Sequence, residues 1–394
     1  MMAMIQALQA LGFAALLPAL TNLAADLNIG HANQRQWVVA AFLISSGLFS
    51  LVPGTVSDRV GRKPVVLACM AAFACINLGS ALVQTFDQLI VLRIMLGVSS
   101  SALAVLPLAI IRDLHHGEDM AKLQSFVAMM FMAVPIFAPG LGYLVMEIAG
   151  WRAIFVVIAT VTISVAIWYL IRLPETLPTS RRVAHSASGL LENIRLVLQA
   201  RSSIGYVFGT ALVFGAHFGF INSAPQLIGE HFGAGSRFAL IFGLMAASMM
   251  AASFVNSALV HRFGARPIAH AAITCHLLVS LGQVYFASRP GETLLQFALL
   301  MSANMCLLIM VFVNFTAIAL QPFGALAGAA ASVQTFFRLV LGAGLGAIIG
   351  QAYDGTPLPL AYALVAVALL SVLLVLYSEG GRLFRRVGQN QEAR

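Results

Sequence analysis

The sequence predicts an all-α integral membrane protein whose twelve transmembrane helices form two pseudo-symmetric six-helix bundles. Three observations support this prediction: few charged residues, long apolar runs from end to end, and a short motif that occurs twice. Of the 394 residues, 60% are hydrophobic and only 9% are charged, whereas a soluble domain carries about 25% charged residues. Most of the surface must therefore face lipid.

The apolar runs are continuous rather than alternating, which indicates helices and not barrel strands. A helix needs about 20 residues to cross a hydrocarbon core roughly 30 Å thick. The predicted spans of the first half are 3–27, 37–57, 64–84, 88–111, 123–147 and 151–172. Those of the second half are 204–222, 237–258, 267–287, 293–316, 329–352 and 357–378.

These spans divide the chain into an N-terminal bundle at 1–172 and a C-terminal bundle at 204–378. Between them, 173–203 is rich in proline, arginine and glutamate and is predicted to be a cytoplasmic linker. Within that linker, LLENIRLVLQA at 190–200 is predicted to form a short amphipathic helix on the membrane surface. The polar residues 379–394 are predicted to be a cytoplasmic tail.

The basic residues predict the orientation, because cytoplasmic loops carry an excess of lysine and arginine. If both termini are cytoplasmic, sixteen of these residues lie on the cytoplasmic side and four on the opposite side. The net charge of +8 therefore sets topology, and no nucleic-acid partner is expected. The first apolar run lacks a basic leader and a clear cleavage site, so it is interpreted as a retained span and not a signal peptide.

No enzyme, metal or cofactor site is visible in the sequence. The four cysteines all lie inside apolar runs and show neither metal-ligand spacing nor a disulfide framework. There is no nucleophile elbow and no phosphate-binding loop preceded by a strand. We therefore expect a non-enzymatic membrane protein without cofactors.

A repeated motif relates the two halves. Residues 56–64 read VSDRVGRKP, and residues 259–267, which begin 203 positions later, read LVHRFGARP. Arginine, glycine and proline recur at matching positions, and each copy lies between the second and third span of its half. Two parallel halves with a transport site between them is the architecture that such a repeat implies.

Three further segments have physical meaning. In GTVSDRVGRKP at 54–64, glycines permit a tight turn, and Asp58 can accept hydrogen bonds at the positive end of a neighbouring helix. Arg93 stands near the start of span four, where a charged side chain usually faces the bundle interior. The alternative is that Arg93 snorkels to the outer interface. PIFAPGLG at 135–142 predicts a kinked, closely packed fifth span, either with an exporter role or as a plain packing kink.

These segments resemble the signatures of the major facilitator superfamily: its loop between spans two and three, its span-four arginine and its antiporter motif. The segments LPAL at 17–20, IRD at 111–113 and PETL at 174–177 resemble the bicyclomycin-resistance (Bcr/CflA) branch of twelve-span drug:proton antiporters. The resemblance covers essentially the whole chain. It implies the major facilitator fold, a monomer in the bacterial inner membrane, and a small-molecule substrate and protons as partners.

The resemblance also implies roles for particular residues. The loop that gates the cytoplasmic side comprises Gly54, Asp58, Arg59, Gly61, Arg62 and Lys63. Proton coupling is linked to Arg93. The antiporter kink, which marks exporters, comprises Pro135, Pro139, Gly140 and Gly142.

The chain departs from the family pattern in its first span. Members of the group usually carry an acid where this chain has Ala14, and no Asp or Glu lies in the middle of any predicted span. Asp113, His217 and His276 are the spare groups that could carry a proton, with His217 preferred by depth. The alternatives are that His217 only packs, that substrate charge drives transport, or that coupling is weak.

The same departure suggests a substrate class. Arg93 and Arg338 place two positive charges inside spans without a carboxylate at similar depth, so we expect neutral or anionic compounds rather than lipophilic cations. The candidate residues of the substrate cavity are Gln9, Asn222, Gln334 and Arg338.

The sequence therefore predicts secondary active efflux of small amphiphilic drugs by alternating access, coupled to proton antiport. One alternative is export or import of a metabolite such as a sugar, nucleoside or amino acid derivative. A second is a non-transporting sensor, which the intact loop at 54–64 argues against, since a scaffold has no physical need for it.

Overall fold

The computed structural model describes residues 1–29, 32–115, 137–177 and 194–384, together with the single positions 123, 127 and 134. The described residues are helical or connecting, and no strand occurs among them. They group into two compact units, Met1–Leu191 and Glu192–Arg394.

The first unit contains eight described helices. They are α1 Met2–Ala14, α2 Leu20–Asp26, α3 Trp37–Phe49, α4 Val52–Val60, α5 Arg62–Ser80, α6 Phe86–Leu114, α7 Phe137–Ala149 and α8 Trp151–Arg172. Within this unit α6 packs on α3 and α1, and α5 packs on α6 and α8.

The second unit contains six longer helices. They are α9 Arg201–Ala224, α10 Phe238–Phe263, α11 Ala265–Ala287, α12 Leu294–Leu320, α13 Ala327–Gln351 and α14 Leu358–Ser378. Helix α9 packs on α12, α13 and α14, and α11 packs chiefly on α12 and α14.

Most of the predicted spans coincide with helices. Among the described residues, ten helices are long and apolar enough to cross a membrane, and the α3–α4 pair, bent by 49°, makes an eleventh span. Of the predicted fifth span, 123–147, only the part in α7 is described as a continuous helix. Residues 194–199 of the predicted linker helix are helical, and 178–193 lie outside the described residues, as does the tail from 385 onward.

Proline explains where helix geometry departs from prediction. A 3-10 turn at Leu17–Ala19, which contains Pro18, interrupts the first span. The seventh span was predicted to end at 222, before Pro225, and this was wrong. The backbone instead continues through a π-helical segment, Pro225–His231, because the φ of proline suits a helical turn and the wider turn tolerates its missing N–H.

The two units share local devices, as the repeated motif predicts. Gly61 and Gly264 both adopt positive φ (113° and 87°) at the turn between their flanking helices, a conformation that favours glycine. Thr85 and Thr293 each form a capping box with the glutamine three residues later at the start of α6 and α12. The repeat is therefore a feature of the backbone as well as of the sequence.

Small residues allow α9 and α13 to approach closely. A side chain at Gly342 would meet Phe214 and the Ala211 carbonyl, and one at Gly346 would meet Phe218. Gly342 and Gly346 therefore form a small-residue packing face on α13, whereas a side chain at Gly344 would meet no described residue within 4 Å.

Candidate functional site

The loop between α4 and α5 gathers charged side chains around one arginine. Arg62 is buried and donates from Nε to Asp113 Oδ2 at 3.0 Å, and its NH1 pairs with Asp58 Oδ1 at 2.6 Å. The same NH1 bonds to the Ser57 hydroxyl. Asp58 and Asp113, which are both predicted site residues, thus bind the same arginine. The ion pair with Asp113 joins the end of α6 to the turn between α4 and α5.

Glu175, which follows α8, holds the first turn of α5. Its two carboxylate oxygens accept hydrogen bonds from the backbone N–H groups of Arg62 and Lys63, at 2.9 and 3.2 Å. These N–H groups have no partner inside their own helix, since the first turn of a helix always leaves its donors unsatisfied. Lys63 returns the contact by donating to the Leu170 carbonyl at 2.8 Å. Helices α5 and α8 are therefore joined at this end.

The environment of Glu175 keeps it ionised. Burial by itself would raise its pKa, but the backbone N–H groups of Leu177, Arg62, Lys63 and Thr176 outweigh burial and hold the pKa below its ordinary value. The sequence did not predict that Glu175 takes part in the contacts of this loop. The signal was available in PETL, which places an acid directly after a span.

The structure corrects one detail of the predicted loop. Gly61 forms the turn, with φ 113° and ψ 156°, but Gly54 lies inside α4 and takes no part in it. A side chain at Gly54 would meet nothing within 4 Å. Arg59 is exposed at the end of α4.

The repeat-related turn in the second unit has a different network. Arg266 Nε donates to Glu379 Oε1 at 2.9 Å, and the Tyr206 hydroxyl donates to the same oxygen at 2.6 Å. The Tyr206 oxygen also lies 3.0 Å from His270 Nε2, while His270 Nδ1 accepts the Phe384 N–H at 2.9 Å. One ion pair supported by neutral groups thus fastens α9, α11 and the residue after α14.

Arg93 is enclosed in the first unit. It is fully buried, donates from Nε to the Val38 carbonyl at 2.7 Å, and donates from NH1 to the Gly12 carbonyl at 2.9 Å. The guanidinium carbon lies 4.7 Å from the centre of the Phe42 ring. The snorkelling alternative is therefore wrong, because carbonyls of the first and second spans, and not the interface, receive the charge. Gly12 stands two residues from Ala14, where the family acid is missing.

The described antiporter-kink residues lie in α7. Gly142 is buried against the first span, and a side chain there would collide with the Ala15 carbonyl. Pro139 is buried beside it, whereas a side chain at Gly140 would meet nothing within 4 Å. Pro135 lies outside the described residues. The segment 135–142 therefore brings α7 close to the first span at a position one residue after Ala14.

The cavity candidates all make contacts inside their own unit. Gln9 donates to the Ser46 hydroxyl at 3.0 Å. Asn222 is 3.4 Å from the Gly346 carbonyl, and Gln334 is 3.3 Å from the Thr210 hydroxyl. Gln9, Asn222 and Gln334 are buried. Whether they contact substrate stays a prediction.

Arg338 has an aromatic setting. Its guanidinium carbon lies 5.7 Å from the centre of the Phe214 ring and 5.6 Å from that of Phe312. These distances fit cation–π attraction, and no ion pair of Arg338 occurs among the described residues. Aromatic rings do not neutralise the charge of Arg338, so this guanidinium can still attract an anion.

The two histidine candidates differ. His217 is half-buried, and Nδ1 lies 3.4 Å from the sulfur of Met305, with the Phe218 ring edge-on beside it. His276 is fully buried, and within the described part of the chain neither of its ring nitrogens has a hydrogen-bond partner. Asp113 is held in the ion pair with Arg62.

Comparison with known proteins agrees with the fold and the motifs. The family model described as Major Facilitator Superfamily matches residues 2–347. Among curated relatives, the uncharacterized MFS-type transporter YdgK of Bacillus subtilis is 26% identical, covering 95% of this chain and 92% of its own. The bicyclomycin resistance protein homolog of Haemophilus influenzae is also 26% identical, covering 91% and 89%. The multidrug resistance protein MdtL of Escherichia fergusonii is 29% identical, covering 93% and 91%.

A solved D-xylose-proton symporter has a TM-score of 0.76 to this chain at 15% identity, covering 96% of this chain and 98% of its own. At that identity the likeness concerns the fold alone.

Proposed function

The chain belongs to the major facilitator superfamily, and from that premise we propose that it exports small amphiphilic drugs by proton-driven antiport. The observation that best supports export is the contact of Gly142 with the Ala15 carbonyl. It gives the antiporter-like segment a physical role in joining the first and fifth spans. The names of the relatives, which mention bicyclomycin and multidrug resistance, support the same substrate class.

The loop at 54–64 is proposed to lock the cytoplasmic face. Arg62 holds Asp58 and Asp113, while Glu175 holds the first turn of α5. Each bond is partly exposed to water, so a modest movement of α4 can exchange it for hydration. Such a cluster suits an alternating-access cycle, in which the site opens to one side of the membrane at a time. The basic-residue pattern supports cytoplasmic termini in a bacterial inner membrane.

The distribution of charge supports neutral or anionic substrates. Arg93 is buried, Arg338 lies among aromatic rings, and no Asp or Glu lies in the middle of a described span. A lipophilic cation entering such an interior would meet like charge without a counter-ion, which is unfavourable in a medium of low dielectric constant. Gln9, Asn222 and Gln334 would then serve as hydrogen-bonding groups for the substrate.

Proton coupling must differ from a scheme centred on an acid at position 14. Arg93 is proposed to supply a fixed charge there and not a proton, since backbone carbonyls receive its donors. Asp113 is engaged by Arg62 and is assigned to gating. An intramembrane histidine is then the remaining candidate for carrying the proton, because a neutral imidazole ring can accept one.

The test is growth of a bacterial host lacking its own pumps, expressing this protein, on neutral, anionic and cationic antibiotics. We expect raised tolerance to neutral and anionic drugs, and none to ethidium-type cations. The control is Arg62→Ala, matched for protein level in the membrane, which should return tolerance to that of the empty host.

Strong export of cations would contradict the charge argument but leave export standing. No tolerance to any drug, with the protein confirmed in the membrane, would overturn drug export and favour metabolite transport.

A further inference from the structure

A column of polar side chains runs along the interface of α11 and α12. His276, Ser280 and Gln283 recur at helical spacing and so share one face of α11, and all three are at most 1% exposed. Asn304 of α12 is fully buried and accepts a hydrogen bond from Ser280 at 3.0 Å through Oδ1. Asn304 also lies beside the His276 ring.

This column holds more hydrogen-bonding capacity than it uses. Four buried atoms of the column have no hydrogen-bond partner among the residues that the structure describes: His276 Nδ1, His276 Nε2, Gln283 Oε1 and Asn304 Nδ2. Buried polar groups are almost always hydrogen-bonded. Four unmatched atoms in one column therefore indicate that these side chains serve a small polar species and not only each other.

A carboxylate stands at the outer end of the column. Gln283 Nε2 donates to Glu292 Oε1 at 3.3 Å, while Glu292 Oε2 is buried without a partner. Glu292 lies between α11 and α12, on the side that the basic residues predict to be extracytoplasmic. Burial raises its pKa to about 7, so it can gain and lose a proton near neutral pH.

The repeat shows that packing of this helix pair does not require a histidine at position 276 or an asparagine at position 304. The position 203 residues before His276, given by the repeated motif, is Phe73 of α5. The position 208 residues before Asn304, given by the two capping boxes, is Leu96 of α6. Phe73 and Leu96 are both fully buried. At the positions of His276 and Asn304 the same helix pair thus carries apolar side chains in the first unit, whereas the positions that match Ser280 and Gln283 are the buried polar residues Asn77 and Ser80.

The ionisable groups around His276 are few. Helix α12 carries no Asp, Glu, Lys, Arg or His, and its Cys306 bonds to Ser248 of α10. Helix α14 contributes only tyrosines, and α10 carries His261 and Arg262 at its other end. On α11 itself, His270 faces Tyr206 of α9. On the side of this unit that the basic residues predict to be extracytoplasmic, the charged groups and histidines besides Glu292 are Glu230, His231, Arg237, Arg289 and Asp354.

We propose that His276 is the proton-binding group of this transporter and that Glu292 admits the proton to it from the extracytoplasmic side. The inference rests on the proposed antiport function. Glu292 releases its proton to water held by Gln283, Ser280 and Asn304, and the neutral His276 ring accepts it and becomes an imidazolium. Seven residues of helix, or about 10 Å, separate His276 from Gln283, so water must complete the route. The charge returns to neutral when His276 releases the proton toward the cytoplasm.

The experiment compares two activities in proteoliposomes with a drug identified by the tolerance panel. Accumulation driven by a pH gradient needs proton transfer, whereas substrate–substrate exchange needs no net proton movement. In His276→Asn and Glu292→Gln we expect gradient-driven accumulation to fall at least about tenfold while exchange stays within about twofold. Glu292→Asp should restore part of the gradient-driven activity. The matched control is Glu230→Gln, an acid on the same side but outside the column, which should retain both activities.

Retained gradient-driven accumulation in both variants, with normal exchange, would overturn the inference while leaving antiport standing. If the wild-type protein transports no tested drug, the proposed function fails, and infrared titration of the purified protein decides the inference. A protonated-carboxyl band that titrates near neutral pH and is missing in Glu292→Gln supports it. Absence of that band in the wild-type protein contradicts it.

Discussion

The two repeat-related turns, at Gly61 and Gly264, have the same backbone conformation but different charge networks. In the first unit, Arg62 binds two acids and a third acid, Glu175, binds backbone N–H groups. In the second unit, Arg266 binds one acid, Glu379, which Tyr206 also satisfies. The duplicated motif therefore fixes the backbone conformation of the turn. Residues far away in sequence determine how many charged side chains bind there.

The largest expected effect is at the central arginine of the first turn. Arg62→Ala removes the cation that Asp58 and Asp113 share, so we expect transport to be abolished and the free energy of unfolding to fall by about 3 kcal/mol. The measurements are drug accumulation and thermal unfolding in detergent.

The matched variant is Arg266→Ala. Because Tyr206 still donates to Glu379, the loss of stability there should be nearer 1 kcal/mol, and transport should persist. Equal effects of the two variants would show that the two turns do not differ in function.

The next effect concerns helix approach. Gly142→Val should force α7 away from the first span, because its side chain would collide with the Ala15 carbonyl. Overpacking of this kind costs about 1–3 kcal/mol. We expect lower thermal stability and severalfold less export.

Gly140→Val is the control, since it lies two residues away with nothing within 4 Å of the added side chain. If both valine variants behave alike, the effect comes from helix propensity and not from the contact.

A smaller effect is expected at Glu175, and it depends on pH. Its pKa lies below the ordinary value, so its ionised form stabilises the fold above that ordinary pKa, and this stabilisation is lost as pH falls through the lowered pKa. Glu175→Gln should therefore unfold at lower temperature than the wild type at pH 7, by an amount near 1 kcal/mol, typical of a lost helix cap. The gap should close in acid. A constant gap at every pH would mean that geometry and not charge matters.

The smallest effect on stability is expected at Glu292, and its dependence on pH is opposite to that of Glu175. Burial raises this pKa to about 7, so the fold is most stable below the unfolded-state pKa and loses stability as pH rises through 7. Glu292→Gln should match the wild type at pH 5 and melt at higher temperature at pH 8. A variant that is less stable than the wild type at pH 8 would show that the carboxylate is paired and not merely buried.

The membrane class, the span positions and the family were predictable from the amino-acid sequence. A hydrophobic run that crosses lipid must satisfy its backbone hydrogen bonds internally and therefore forms a helix. For this reason predicted and observed spans agree at most ends. The turn at Gly61 was also predictable, because few residues other than glycine tolerate positive φ. The seventh span was predicted to end at 222, whereas helical backbone continues through the wider π-helical segment Pro225–His231.

Which polar residues contact one another depends on how the helices pack, and the sequence did not predict it. Glu175 lies 113 residues from Arg62, and Asn304 lies 24 from Ser280; neither pairing leaves a local pattern in the chain. Depth along a helix made His217 the preferred histidine, yet depth says nothing about the face on which a side chain lies. Packing placed His217 beside a thioether and placed His276 in a polar column that leads to a carboxylate. Contacts between distant segments depend on how helices pack, and hydrophobicity alone specifies the helices without specifying their partners.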